Sequence, residues 1–188
     1  MGAIDIGAGA INRSSSRTYG STCIQTDNPA NGSGTLDEFQ VWAVTALSGF
    51  KIGTFSEGKS GYFTCRDYET IGSVSSGSLQ TFTGKQCAVQ SGDMIGAYWS
   101  AGTIEYASSG GSGYLYYKSG DQFGAGEVNY SFSATAALLS IYGVGETVFY
   151  LTVSDRCHSL ISDNASIVIA QTLNAADSEE VVRLKLRN

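Results

Sequence analysis

The chain has one proline, Pro29, and one histidine, His158, in 188 residues. Basic residues are also few: 11 Lys and Arg stand against 17 Asp and Glu, for a net charge of −6. Neutralising a phosphate backbone needs a basic patch. The one local cluster, Arg183, Lys185 and Arg187 at the C-terminus, is too small for that, so nucleic acid is not an expected partner. No apolar run reaches about 18 residues, so no membrane span is expected. The start, MGAIDIGAGAINRSSS, lacks a charged segment leading into a long apolar one and does not read as a signal peptide. Ile6 occupies the position where a myristoylation start needs Ser or Thr. The four cysteines, Cys23, Cys65, Cys87 and Cys157, never approach CxxC spacing, so no zinc site is expected. Buried free thiols are the expectation, with one bridge left open.

What is abundant is glycine, 24 residues, together with Ser, Thr and Tyr; charged residues are 15% and apolar ones 42%. That profile fits an all-β chain with many tight turns, and the length fits one large domain. Period-2 alternation marks strands near 17–26, 35–46, 49–56, 60–66, 69–74, 79–83, 86–90, 93–100, 103–107, 113–118, 127–133 and 136–142. The clearest is TLDEFQVWAV, with Phe39, Val41 and Ala43 on one face and Glu38, Gln40 and Trp42 on the other. In EVNYSFS, Val128, Tyr130 and Phe132 oppose Glu127, Asn129 and Ser131. NPANGSG, SEGKSG, QSGD and KSGDQFGAGE supply turns between them. No segment shows a capped helical period. The expected fold is an antiparallel jelly-roll-type β-sandwich with a short C-terminal β extension; another sandwich topology would give the same periodicity. Glycines stop after Gly145, so the expected division is a sandwich module at 1–145 and an extension at 146–188. The extension holds three further candidate strands, 147–155, 166–173 and 180–187. In the last, Val182, Leu184 and Leu186 alternate with basic residues, a half-buried pattern that needs a partner sheet.

The ordered set IDIGAGAINRSSS, DNPANGSGTLDEFQVWAV, FTCRDYETIGSVSSGSLQTF, VQSGDMIGAYWSAGTIEY, GGSGYLYYKSGDQF and LLSIYGVG resembles a β-sandwich module that recurs in virion proteins of tailed bacteriophages. The resemblance covers about residues 3–145. LTVSDRCHSLISDN resembles a short Asp-x-x-His…Asp-Asn strand element that follows such modules, with Arg156-Cys157 in a spacer that is usually small or apolar. The resemblance implies a non-enzymatic structural protein on the virion exterior, either capsid decoration or head fibre. It implies assembly in the host cytoplasm and release by lysis, with the major capsid protein or another virion protein as partner. Self-association follows from the tail, as a homo-oligomer and, by analogy with other decorations, a trimer.

Four sets of residues are of types that carry chemistry. His158 stands among Asp155, Cys157, Ser159 and Asp163, but these lie in one short loop, whereas triads draw members from separated, rigid elements. Adjacent Cys157 and His158 would point to opposite faces of a strand. The stretch reads as a bend built on Asx-turns, and no catalytic residue is assigned. Acidic loop residues Asp27, Asn28, Asn31, Glu57, Asp67, Glu69, Asp93 and Asp121 form no DxDxDG run and read as solvated turn residues rather than calcium ligands. GAGAINRSSS and GVGE lack nucleotide-loop spacing, and no cofactor is expected. Trp42, Tyr98, Trp99, Tyr114, Tyr116 and Tyr117 are the aromatic candidates for glycan or interface contact. Glu105, Asp121 and Gln122 are candidate polar neighbours, and core packing is the competing role for one alternating set. Glycan binding is the alternative function. If His158 only shapes a bend, His158→Ala should leave any hydrolytic activity unchanged and lower stability slightly. Turnover of common esters or glycans that disappears in this variant would contradict that reading.

Overall fold

The computed structural model describes residues 3–133 and 136–147, and all of its regular structure is strand. In chain order these are β1 (Ala3–Ile6), β2 (Ser15–Thr18), β3 (Ser21–Gln25), β4 (Gly34–Lys59), β5 (Tyr62–Val74), β6 (Leu79–Val89) and β7 (Met94–Tyr98). They continue as β8 (Ala101–Ala107), β9 (Leu115–Ser119), β10 (Val128–Asn129), β11 (Ser131–Phe132), β12 (Leu138–Leu139) and β13 (Ile141–Thr147). Every strand pairing is antiparallel. The fold is all-β, as the turn-rich composition predicts. One compact unit runs Met1–Val148. His158, Cys157 and the strand carrying Val182, Leu184 and Leu186 lie outside the described residues.

The 26-residue β4 organises the unit. Its first part, up to Trp42, pairs with β13 and β6, and β1 adds to β13, giving the order β1-β13-β4-β6. Its last part, from Leu47, pairs with β5 and β7, and the sheet continues through β3 and β9 to β11. Between them, Ala43–Ser48 pairs with β8, whose other edge carries β2. The register slips repeatedly between Ala43 and Lys51, and Gly49 takes φ +59°. Bulges bend a strand and sharpen its twist, and glycine accepts the left-handed backbone that this bend requires. A sequence cue at Ser48-Gly49 therefore reads as a turn between two strands, whereas the chain passes through it as one.

One core cluster contains Ile4, Ile6, Leu36, Phe39, Val41 and Ile141 from the first sheet and Cys23, Phe50, Ile52, Ile95, Ala97 and Leu115 from the second. The inner faces of the two sheets thus share one core. Trp99 sits in it with 0% exposure, its indole N–H donating to the Gly102 carbonyl. A second cluster, Ile24, Phe55, Phe63, Tyr116, Phe123 and Tyr130, covers the opposite face of the β3–β4–β5–β9 sheet. Phe63 meets Tyr116 and Tyr130 edge-on at 4.9 and 5.6 Å, a favoured aromatic geometry. A sheet buried on both sides explains why clean alternation fails in this half of the sequence.

Polar side chains close the strand edges. On β1, Asp5 N–H donates to Asn31 Oδ1 at 3.0 Å, and Asn28 Nδ2 donates to Asp5 Oδ2 and the Gly7 carbonyl. On β6, Ala88 N–H donates to Asp67 Oδ2 at 2.7 Å and Gln86 N–H to Glu69 Oε1 at 3.1 Å. Thr54 Oγ1 donates to the Ala88 carbonyl at 2.7 Å. Unpaired edge groups invite pairing with other chains, and these bonds remove several of them.

The Gly143–Gly145 stretch lies within β13, which runs on to Thr147. Its glycines serve packing. A Cβ on Gly143 would press on Ile6, Leu36 and Phe39, and one on Gly145 would overlap the Thr35 carbonyl oxygen. Ala3–Ile6, too short to announce itself, is also a strand. EVNYSFS does not run as one strand: β10 pairs with β5 and β11 with β9, so Tyr130 is buried while Phe132 is 58% exposed. Gly145→Ala should therefore destabilise the protein by about 2 kcal/mol in urea denaturation. Gly126→Ala, in open space, should change stability by less than about 0.5 kcal/mol. Equal effects would mean that Gly145 is ordinary punctuation.

Candidate ligand-binding face

The aromatic candidates do not share one surface. Trp99 is enclosed in the core and Tyr116 is 9% exposed within the second cluster, so neither offers a ring face to a ligand. Those two assignments are corrected by burial. Tyr98 is half-buried against the second cluster, and Tyr117 packs on the main core with the Arg17 guanidinium 5.1 Å from its ring centre. Tyr114 is exposed at the β9–β11 edge, 5.6 Å from Phe132 at 71°, so the two rings form a corner rather than a flat platform. Trp42 lies on the other sheet, half-buried, and faces away from the core as its alternation predicts.

The proposed polar neighbours are engaged elsewhere. Glu105 is 7% exposed and accepts the Arg13 backbone N–H at 2.9 Å. Arg13 also donates from Nε to Ser140 Oγ and from Nη2 to the carbonyls of Ala8 and Gly9. Burial lowers its pKa, against the pull of Asp27 and Glu105. Asp121 pairs with Lys51 at 2.6 Å and accepts the Phe123 N–H, while Gln122 Nε2 donates to the Ser119 carbonyl. These residues build turns.

The acidic residues expected in solvated turns are likewise occupied by donors, and Glu57 lies within β4 and Asp67 and Glu69 within β5, so for these three the turn assignment is corrected. Asp93, 3% exposed, receives Nε and Nη2 of Arg66 and the Gln90 N–H. A two-point guanidinium contact plus a backbone donor satisfies a buried carboxylate. Glu57 accepts the Gly61 N–H, and Asp67 and Glu69 hold β6 as described. Among the described residues, no group of three His, Cys, Asp or Glu is arranged to hold a metal ion. Cys23, Cys65 and Cys87 are free thiols. Cys23 and Cys87 are buried, and burial pushes the Cys87 thiol up to about 12.

One surface gathers polar side chains around a half-buried ring: the outer face of β1-β13-β4-β6. Register sets Gln40 beside Thr81 and Tyr142, Glu38 beside Thr83 and Val144, Val144 beside Asp5, and Trp42 beside Leu79. Directly opposed residues share a face with Cβ atoms about 4.5–5.5 Å apart. Gln40 Nε2 donates to Glu38 Oε1 at 2.7 Å, and Tyr142 Oη donates to Asp5 Oδ2 at 3.2 Å, so these side chains orient one another. Burial, then Asp5, pushes the Tyr142 phenol up. Sequence reasoning placed Trp42 on this face but missed Tyr142 and Asp5. Their alternation with Ile141 and Gly143, and with Ile4 and Ile6, was the available signal. The chain matches no family model, no curated protein and no solved structure.

Next to Asn28, Asp27 accepts the Ser112 N–H and hydroxyl. Burial opposes its ionisation, but the bonds from Ser112 and Gly113, with Arg13 nearby, hold its carboxyl below the ordinary value. A carboxyl depressed on folding adds stability above its unfolded pKa of about 3.9, and that stability is lost as pH falls through the folded value. Asp27→Asn should be less stable than the parent at pH 7, and thermal melts should show the gap shrinking as pH falls below about 4. The same gap at both pH values would mean that the charge of Asp27 contributes nothing.

Proposed function

We propose that the chain is a non-enzymatic bacteriophage structural protein on the virion exterior, a capsid-decoration or head-fibre protein built on a jelly-roll-type module. The observation that supports this reading is the module's closure on itself. Its β1 and β6 edges are bonded to its own Asn28, Asn31, Asp67 and Glu69 side chains. Sheet-edge addition at those positions is therefore unfavourable. Attachment then falls to the extension at 146–188, where Val182, Leu184 and Leu186 alternate with Arg183, Lys185 and Arg187. Such a strand gains most by adding to a sheet of another subunit or of the capsid. The partners are sister copies, as a homo-oligomer such as a trimer, and the major capsid or another virion protein. Free thiols at Cys23, Cys65 and Cys87 suit assembly in a reducing cytoplasm.

Mass spectrometry of purified phage particles should find the protein at structural copy number; its absence from particles would refute virion residence. Deleting residues 174–188 should weaken the oligomer by light scattering and leave the circular dichroism of the module intact. A monomeric parent whose truncated form unfolds would place the tail in the core and end the attachment argument.

A further inference from the structure

We infer that the outer face of β1-β13-β4-β6 is a binding site for a neutral oligosaccharide, centred on Trp42 and Gln40. The inference stands independently of virion residence. Trp42 supplies a half-buried ring on a strand whose main chain is fixed there by the Trp42 N–H bond to the Ser140 carbonyl at 3.1 Å. A ring of this kind stacks on the C–H face of a sugar, and its indole Nε1–H has no partner among the described residues. Beside it, Gln40 spends one amide hydrogen on Glu38 and leaves Oε1 free to accept. Glu38 Oε2 and the hydroxyls of Thr81 and Thr83 are likewise unengaged among the described residues. A sugar presents hydroxyls that both donate and accept, so a row of mixed acceptors and donors beside a ring matches it group for group.

Charge decides the class of glycan. The carboxylates of Glu38 and Asp5 lie on this face, and its register partners, Thr81, Thr83, Leu79, Tyr142 and Val144, include no cation. A sulfated or carboxylated sugar would be repelled there, whereas carboxylates are strong acceptors for neutral hydroxyls. The same composition argues against a protein occupant. The centre of a protein interface is depleted in Glu and Asp and enriched in apolar side chains, yet Glu38, Gln40, Thr81 and Thr83 run through the middle of this face.

The test uses the full-length chain on an array of neutral and anionic oligosaccharides, followed by titration calorimetry with the best neutral binder. Binding should be retained at 0.3 M salt, to within about two-fold, because no ion pair contributes to it. Trp42→Ala and Gln40→Ala should each weaken it by roughly ten-fold or more, with circular dichroism and melting temperature showing that both variants are folded. Tyr114→Ala should bind as the parent does. No binding to any neutral glycan, or binding to anionic glycans only, would overturn the inference. So would binding that survives Trp42→Ala and Gln40→Ala, or that is lost in Tyr114→Ala instead.

Discussion

Both layers of the unit are threaded by β4, so its bend between Ala43 and Lys51 determines which side chains can meet in the core. Before the bend, Leu36, Phe39 and Val41 face inward; after it, Phe50 and Ile52 do. A one-residue slip in a strand turns its apolar set to the opposite face. The register slips at the bend must therefore sum to a value that restores the inward face on the far side. Gly49 permits this locally, because a Cβ there would meet Ser100 and the backbone conformation is left-handed. The close pairing of Gly53 with Gly96 then leaves room for the Phe55 ring, which would collide with any side chain at Gly96.

The polar network follows from that arrangement. Bending β4 carries β5 and β6, its partners along one side, close to each other, and Asp67 and Glu69 then reach the N–H groups of β6. These bonds lie at exposed positions, so each contributes about 0.5–1.5 kcal/mol, and their main effect is to occupy the N–H groups of an open strand edge. Arg66 and Asp93 tie the turn at Gln90–Asp93 to β5, and Arg13 ties the N-terminal segment to Ser140 and Glu105. Asp27, Glu57, Asp67, Glu69, Asp93 and Asp121 are thereby occupied as acceptors of protein N–H groups, and their abundance reflects edge and turn chemistry.

The strand content and the inward face of TLDEFQVWAV were legible because a half-buried strand in an antiparallel sheet repeats every two residues. The reading failed where the physics departs from that repeat. Bulges disguised β4 as two strands, and Gly84, at φ +70°, did the same to β6. Trp99 and Tyr116 were indistinguishable from surface aromatics, because the second sheet is covered on both faces and alternation no longer separates inside from outside. Phe132 was assigned with Tyr130 although the chain changes partner between them. Of the candidate face, Trp42 could be read from its own strand. Alternation turns Tyr142 and Asp5 outward on their own strands, but that they lie on the same face as Gln40 follows only from pairing across more than a hundred residues.

That long-range pairing has a mechanical side. Ala3 lies opposite Glu146 and Ile6 opposite Gly143, so the two ends of the described chain leave from the same end of one antiparallel ladder. Tension applied at those ends would load the β1–β13 bonds one after another, as a zipper, instead of shearing them all together. The module should yield at low force from that corner while the remainder, anchored through β4, stays folded. Neighbouring ends also make the unit a natural insertion cassette, able to sit within a loop of a larger protein and still close its own ladder.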